Sequence, residues 1–586
     1  MSDKNSYRGA YSDRTKQNKM IKENVLNNLC DESINNNNVQ NNNNKERFGF
    51  PEKQELADFE TAIAETQYGK FNYLLLLIAL PCCLASQFDT STMSYILASA
   101  ECDLNLNLVD KGNLNAVTYG GMISSAMIWG YFSDTLGRKK LLVLGYFLDA
   151  CINVFVTFSQ SKISIMIFKF FSGFVICGPF AVLMSYLSEL HGKEVRGRVM
   201  LAVGTCNVIL PFIAWTVLPY NLEYILIENI FEIHTWQVFL AICSIPPPFI
   251  AGLLVSFLPE SPKFLMSRGK NDKAMEIFKR IYAINTGNDP KLYPIKELVN
   301  ELQQNNNQIE TISKNVHDTE QNESCKSPSK LMIGFKQFSL MFRKPHLYNS
   351  ILVYVIQFGI LFGLNSLRLW VPQLFSIISE YNNDFPIVGI DTINENTYSS
   401  SADLCTMMEA KVNKSLQMST SMENVENLTH RFCEVVVDAE VYEKAMILGA
   451  ISFVGYLMAG TIINAVGNKN ILIFGLIFSG SCGISHYFAK DSLSTLILSS
   501  LFVTVSSICS TALVSSTVSI FPTSLRTMIV SILMMFGRIG AIMGNVLFPY
   551  LMETGCFPPF LMVGGTAIAC GVVCLLLPKT IKQPLK

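Results

Sequence analysis

Charged residues are scarce in this sequence, and neither sign dominates. Lys, Arg, Asp and Glu make up 16% of the 586 residues, against about a quarter in a typical soluble protein. The net charge is −1, so there is no excess of basic residues to bind nucleic acid, and no such partner is expected. Half of the residues are hydrophobic. This composition predicts a protein embedded in membrane lipid.

Motifs of catalysis and metal binding are also missing. The sequence contains no G-x-x-x-x-G-K-[ST] phosphate loop and no H-E-x-x-H zinc motif. The six His do not cluster, and the 16 Cys follow no paired C-x-x-C pattern. A channel would need a selectivity filter or a charged ring, and neither is visible. We therefore expect no enzyme, no cofactor and no metal site.

Long apolar runs, in contrast, are abundant. Crossing a bilayer takes about 20 mostly apolar residues, and the chain holds twelve such runs. The predicted spans are 72–97, 113–133, 140–159, 163–187, 199–219, 236–258, 347–372, 443–466, 470–488, 492–518, 526–550 and 557–577.

The spans divide the chain into two halves joined by a polar linker. The predicted segments are a cytoplasmic tail 1–70, a six-helix bundle 71–258, a cytoplasmic linker 259–346, a six-helix bundle 347–577 that includes loop 373–442, and a cytoplasmic tail 578–586. The first tail is Asn-rich and predicted to be largely disordered, although its end, 52–67, is expected to form an amphipathic helix on the membrane surface. A cytoplasmic partner for this tail stays an alternative to a plain flexible tail.

Charge in the short loops predicts the orientation. The connections 138–140 and 193–198 are basic, whereas the alternate connections carry acidic residues. Basic loops stay in the cytoplasm, so both termini and the linker are expected there. Loop 373–442 then faces the lumen or the exterior.

Loop 373–442 carries features of an oxidising, glycosylating compartment. Asn413 and Asn427 each begin a glycosylation sequon. The loop also holds Cys405 and Cys433, and we expect a disulfide between them.

The most specific motif is the segment 130–140, which reads GYFSDTLGRKK. Gly130 would allow close helix contact, and Gly137 a tight turn. Asp134 could accept hydrogen bonds from a helix N-terminus or pair with an Arg, while Arg138 could reach the interface or close a gate. A plain basic turn would explain Arg138, but not the two glycines and Asp134 at these spacings.

This segment resembles the signature loop of the major facilitator superfamily. Further similar elements follow in order: Lys169 with Ser172-Gly173, Glu189 through Arg196-Gly197, Pro259 through Leu265, and Phe521-Pro522-Thr523 with Arg526. Within the superfamily, the sequence looks most similar to the synaptic vesicle glycoprotein 2 group and the organic-ion transporters. That similarity rests on Asp89 with the residues 98–101, on 185–189, and on Trp215 ahead of Leu218-Pro219.

The resemblance implies an all-α membrane protein with the major facilitator fold, two six-helix bundles and 12 transmembrane helices. It implies transport of a small organic solute by alternating access, in the plasma membrane or a secretory or synaptic-type vesicle. The implied cytoplasmic gate comprises Gly130, Asp134, Gly137, Arg138, Glu189, Arg196 and Arg526.

The second-half copy of the signature loop, 464–469, departs from the family because Asn replaces its Asp and Arg. Ser519 also stands where the family often has Glu. These losses leave open an alternative: a non-transporting vesicle membrane protein that keeps the fold and acts through protein partners.

Ionisable residues inside spans usually line a cavity or pair with one another. The predicted substrate pathway comprises Asp89, Lys169, Trp215, Arg368 and Arg538. Arg538 is the preferred solute contact, since it lies too deep to reach the interface, and a guanidinium there favours an anion or zwitterion. An ion pair between Arg538 and Asp89 is the alternative.

Two finer expectations concern the same pathway. Trp215 is preferred as a pocket residue, whereas Trp370, at the predicted outer boundary, suits the interfacial aromatic belt. Asp89 is the candidate carrier of a coupling proton or ion, which stays undetermined.

If the 130–140 loop is a gate, Asp134→Asn is expected to slow transport turnover more than it weakens solute binding. The carboxylate would stabilise one closed state without touching the solute. Comparing the maximal rate with the apparent affinity in uptake measurements checks this, and unchanged transport would contradict the gate.

Overall fold

Helices make up nearly all of the described chain. The computed structural model describes residues 56–192, 195–196, 199, 209–220, 224–227, 231–299, 346–384, 404–408, 439–521 and 523–578. The predicted glycosylation sites Asn413 and Asn427 lie outside these ranges, as do Cys433 and most of the Asn-rich tail.

The helices of the first half and linker are α1 Phe59–Glu65, α2 Lys70–Ser99, α3 Leu108–Leu136, α4 Arg138–Thr157, α5 Lys162–Glu189, α6 Ile209–Val217, α7 Thr235–Ser244, α8 Pro246–Ser256, α9 Pro262–Ser267 and α10 Asn271–Thr286. Those of the second half are α11 His346–Asp384, α12 Ala439–Val466, α13 Asn468–Ser485, α14 Ser492–Ile520, α15 Thr523–Thr554 and α16 Phe557–Val573. Three short 3-10 turns follow α10, α13 and α16.

Ten segments of the described residues are helical, long and apolar enough to cross a membrane. They match ten of the twelve predicted spans. The predicted span 113–133 lies in α3, which is 29 residues long but rich in Asn, Ser and Gly. The predicted span 199–219 is only partly described, by α6 and Val199.

Three segments differ from the prediction. Helix α11 continues to Asp384, so the first part of the predicted loop 373–442 is helical. The predicted span 236–258 is two helices that meet at Pro246, because three consecutive prolines offer no backbone donors there. The predicted loop between spans five and six contains an antiparallel hairpin of β1 Tyr224–Ile227 and β2 Phe231–Ile233, a small exception to the all-α expectation.

Within each half, helices approach one another backbone to backbone. A Cβ built on Gly173 of α5 would lie 2.0 Å from the carbonyl oxygen of Thr118 in α3. In the second half, a Cβ on Gly540 of α15 would lie 2.3 Å from the carbonyl oxygen of Phe358 in α11. Small residues at such crossings drive helix association in lipid, where water provides no hydrophobic force.

Among the described residues, the buried apolar cluster that the two halves share lies at one end. Helices α2, α3 and α6 pack against α11, α15 and α12 respectively. A single buried apolar cluster spans both halves at the end that carries residues 98–108, with Phe88 and Leu106 on one side and Trp370 and Phe548 on the other. Toward the predicted cytoplasmic end, the described buried residues form separate clusters, one in each half. The structure is therefore closed at the outer end and divided at the inner end.

Within the predicted amphipathic helix 52–67, the described residues form α1. It packs against the linker, where the ring of Phe59 lies 6.1 Å from that of Phe278 in α10. The hydroxyl of Tyr293 donates to the carbonyl oxygen of Ala62 at 2.6 Å. Its apolar face is covered by linker side chains and not by lipid.

The expected disulfide between Cys405 and Cys433 is wrong: Cys405 pairs with Cys556. The residues 404–408 form a helical turn held by the backbone amide of Leu404, which donates to the carbonyl oxygen of Ala489. This turn brings Cys405 beside the start of α16, with 5.3 Å between the two Cα atoms. The bridge thus ties the outer loop to the second bundle across 151 residues of chain.

Peptide mapping of the unreduced protein should recover one linked pair containing Cys405 and Cys556. Cys405→Ser and Cys556→Ser should lower the thermal stability equally, and the double variant no further, because each removes the same cross-link, which is worth up to about 4 kcal/mol. Cys151→Ser removes an exposed free cysteine and serves as the neutral control. Recovery of a Cys405–Cys433 pair would contradict this pairing.

Candidate functional site

A cavity of about 290 Å³ lies between the two halves. Its walls come from α2 and α6 of the first half and α11, α12 and α14 of the second. Most of the lining is apolar or carries hydroxyl and amide groups. This volume is at the small end of ligand sites, so the cavity suits a small molecule.

Arg368 is the single charged residue among the described residues that line the cavity. It projects from α11, and its Nη2 donates to the hydroxyl of Ser91 on α2 at 2.8 Å. Nearby on α11, Asn365 accepts from the hydroxyl of Tyr119 of α3 at 3.1 Å. Both hydrogen bonds join the two halves, so the groups facing the cavity also hold its walls together.

Hydroxyl groups on α14 and α2 were missed as pathway candidates. Ser507, Ser510 and Thr511 line the cavity from α14, and Ser91 and Ser94 line it from α2. The spacing 507, 510, 511 places three polar groups on one helix face. That periodicity, within an otherwise apolar run, was a signal available in the sequence.

Asp89 and Lys169 face away from the cavity, and neither is among its described lining residues. They form an ion pair inside the first half, with 3.4 Å between Lys169 Nζ and Asp89 Oδ1 and side-chain exposures of 0% and 1%. The alternative partner considered for Asp89, Arg538, lies elsewhere. Its Nη1 is 3.0 Å from Cys177 Sγ of α5, so Arg538 bridges the halves outside the described cavity lining.

Neither tryptophan lies where the sequence predicted it. Trp215 is 38% exposed on α6 and packs against Phe212, away from the cavity. Trp370 is fully buried, not in an interfacial belt, and stacks on Phe548 with 5.6 Å between ring centroids. Their helices are rotated so that Pro211 and Val371 line the cavity instead.

At the predicted cytoplasmic end, the gate residues form a network within the first half. Arg138 Nη2 lies 3.5 Å from Glu189 Oε1, and its guanidinium lies over the Phe264 ring at 5.4 Å. Glu189 also accepts a hydrogen bond from the hydroxyl of Ser261. Glu260 Oε1 accepts from the backbone amide of Lys139 at 3.0 Å. The loop is thus fixed to its own half by Glu189 at the end of α5, by Glu260 just before α9 and by Phe264 within α9.

The remaining predicted gate residues are not described as part of this network. Arg196 pairs with Glu60 of α1 at 3.2 Å, which ties the tail helix to the segment after α5. Gly130 makes no close helix contact in this conformation, contrary to expectation, since a Cβ there would meet nothing within 4 Å. Asp134 and Arg526 lie in α3 and α15, but their side chains are outside the described part of the chain.

His191 lies beside this network. Burial, the largest cause, lowers the pKa of His191, while its hydrogen bond to the Leu187 carbonyl opposes the shift and Arg196 adds to it. The ring is therefore neutral at pH 7, and its Nδ1 donates to that carbonyl at 2.8 Å. This neutral ring adds no charge to the Arg138–Glu189 region.

The two signature loops share one backbone feature, a glycine with positive φ. Gly137 and Gly467 are the N-cap residues of α4 and α13, with φ of 98° and 85°. Such values favour glycine in both halves. The equivalent turns relate the two bundles to each other even though the charged residues of the second copy are lost.

Two bundles with a polar cavity between them, built from apolar helices of spanning length, define a multi-pass membrane protein of the transporter type. The family model for the Major Facilitator Superfamily matches residues 75–390 and 444–586. The chain belongs to the major facilitator superfamily.

Individual relatives agree with this assignment. Human synaptic vesicle glycoprotein 2B is 23% identical over 605 residues, covering 91% of this chain and 87% of that protein. Rat synaptic vesicle glycoprotein 2A is 29% identical over 241 residues, 40% of this chain and 32% of that protein. The partially occluded, inward-open xylose transporter XylE from E. coli matches with a TM-score of 0.58 and 15% identity, over 88% of this chain and all of that one, which shows the shared fold.

Gly137→Ala is expected to lower the thermal stability of the purified protein more than Gly467→Ala. Both changes force a side chain into a positive-φ turn that is almost restricted to glycine, at a cost of about 1–3 kcal/mol. Only Gly137 adds a clash, because its Cβ would lie 2.7 Å from Glu260 Oε2, whereas nothing lies within 4 Å at Gly467. Equal losses in thermal unfolding would show that the Glu260 contact contributes nothing.

Proposed function

We propose that this protein transports a small organic anion or zwitterion by alternating access, with Arg368 as the solute-binding cation. The observation that carries this proposal is the charge of the cavity: one guanidinium, and no carboxylate among the described lining residues. A fixed positive charge in a low-dielectric site attracts an anion strongly. The planar fork of Arg also suits bidentate binding of a carboxylate.

Alternating access is supported by the arrangement of the buried clusters. The halves share a core at the outer end and have separate cores at the predicted cytoplasmic end, which corresponds to a cavity that opens inward. Rocking of one bundle against the other would expose the site to the opposite side. In that state Asp134, Arg138 and Arg526 would close the cytoplasmic end.

For Arg538 we propose a positioning role in place of the solute contact. Its contact with Cys177 joins α15 to α5, so it would stabilise one arrangement of the halves. We place the protein in the plasma membrane or a secretory or vesicle membrane with cytoplasmic termini. A coupling proton or ion accompanies the solute in this proposal.

Uptake into proteoliposomes, with benzoate, succinate, glutamate, tetraethylammonium and glucose as probes, tests the proposal. Wild-type protein should take up at least one anion or zwitterion. Arg368→Gln should weaken the apparent affinity of that uptake about 100-fold, from removal of a charged hydrogen bond worth up to about 3 kcal/mol, while Arg368→Lys should retain part of the affinity.

Arg538→Gln is the matched control, because it removes a cation that also bridges the halves. It should lower the maximal rate more than the apparent affinity, whereas Arg368→Gln should do the reverse. Selective uptake of the cation or glucose would contradict the anion class. No uptake of any probe, together with partners captured through the N-terminal tail, would favour the non-transporting alternative.

A further inference from the structure

A buried lysine joins the two halves at the outer end, apart from the solute cavity. Lys111 lies in the first turn of α3, and its side chain is 1% exposed. Its Nζ donates to Glu101 Oε2 of the same half at 2.7 Å, and to Gln373 Oε1 of α11, in the second half, at 3.2 Å. None of the three is among the described lining residues of the cavity, and the predicted pathway and gate included none of them.

The loop before α3 positions this lysine. The backbone amide of Leu106 donates to the carbonyl oxygen of Glu101 at 2.9 Å, so the chain folds back and places the Glu101 carboxylate beside Lys111. The side chain of Asn107 caps α3 by accepting from the backbone amide of Asp110 at 2.6 Å, as a good N-cap residue does. The ammonium is therefore held at the start of α3 by contacts within its own half.

Helix α11 connects this contact to the cavity. Arg368 lines the cavity, and Gln373 follows it by five residues, which is about 7.5 Å further along the helix axis toward the outer end. Next to Lys111, helices α3 and α15 approach so closely that a Cβ on Gly112 would lie 2.5 Å from the carbonyl oxygen of Asn545. The bond to Gln373 therefore lies on the outer side of the solute site, where the two halves are packed tightly.

The energetic value of this bond depends on whether the outer end is open. An ammonium removed from water must be compensated by an opposite charge and by hydrogen-bond acceptors. In the closed structure Glu101 supplies the charge, and Gln373 supplies an acceptor from the other half. The side chain of Glu101 is 26% exposed, so the pair reaches the outer surface, and water would solvate Lys111 once the halves separate. The ammonium therefore needs Gln373 only while the outer end is closed.

We propose that Lys111 is a positioning residue that holds the outer end closed, through the hydrogen bond that it donates to Gln373. We call this bond the outer latch. The inference rests on the alternating access proposed above and not on the class of solute. When the halves part, the latch breaks and water replaces Gln373 around the ammonium, while the pair of Lys111 and Glu101 stays within the first half.

Hydrogen–deuterium exchange of the full-length protein in lipid nanodiscs tests the latch without any solute. Gln373→Leu should raise exchange in the outer segments 108–118 and 369–378 and lower it in the inner segments 138–145 and 468–475, because only the outer-closed state loses an acceptor. Loss of one hydrogen bond to a charged group should shift the equilibrium toward the outward-open state about 10- to 100-fold. Opposite changes at the two ends distinguish this shift from a merely loosened outer end.

A double variant separates the latch from an ordinary packing contact. Adding Lys111→Met to Gln373→Leu should return exchange at both ends toward the wild-type level, because two apolar side chains then meet and no buried ammonium has lost an acceptor. Lys162→Gln is the matched control. Its pair with Asp110, at 2.9 Å, lies at the same end but within the first half, so its loss should leave the inner segments unchanged.

Three results would overturn the latch: unchanged exchange in Gln373→Leu, faster exchange at both ends, or a double variant more open than Gln373→Leu alone. Opposite changes at the two ends that Lys111→Met reverses would support it. Because the measurement needs no substrate, protein that takes up none of the probe solutes can be tested in the same way. Failure of the latch and failure of the proposed transport are therefore separate results.

Discussion

Charge inside a medium without water is the constraint on which the rest of this structure depends. An isolated ion in the bilayer interior is costly, so each one must have a partner, a proton or a polar cavity. The first half places Lys169 against Asp89 in its sealed interior, whereas the second half places Arg368 at a cavity wall. The same requirement thus produces a structural pair in one bundle and a candidate binding group in the other.

Closure at one end follows from how apolar and polar contacts are distributed between the halves. The shared apolar core includes Phe88, Leu364 and Val371 of the cavity lining. Hydrogen bonds such as Arg368–Ser91 and Tyr119–Asn365 also join the halves near the cavity. At the other end the polar groups bond within their own half, as Arg138 does with Glu189. A bundle held this way can open at one end without losing its internal contacts.

The linker and the tail helix stiffen that inner end. Helix α1 is fastened to the first bundle by the Arg196–Glu60 pair and to α10 by Phe59 and Phe278. Asn285 at the end of α10 accepts from the amide of Phe71 at the start of α2. These contacts make the first bundle, the linker and α1 one unit at the end where the gate residues lie.

The sequence alone determined the helices, the two-half organisation and the family. Hydropathy over 20 residues, turn glycines and the motif 130–140 are local properties of the sequence. They do not depend on how the neighbouring helices pack. The local sequence pattern also identified charged residues inside the membrane-spanning helices, since Asp89, Lys169 and Arg368 were all predicted from their position within spans.

Only the tertiary structure decided which of these residues meet. A run of apolar residues carries little information about the rotation of its helix, so Trp215 and Trp370 could not be assigned to lipid or interior from sequence. The partner of Cys405 lies 151 residues away, and the pairing of Lys169 with Asp89 depends on the packing of α5 against α2. Long-range pairing and helix rotation are set by close packing between elements, which no local pattern contains.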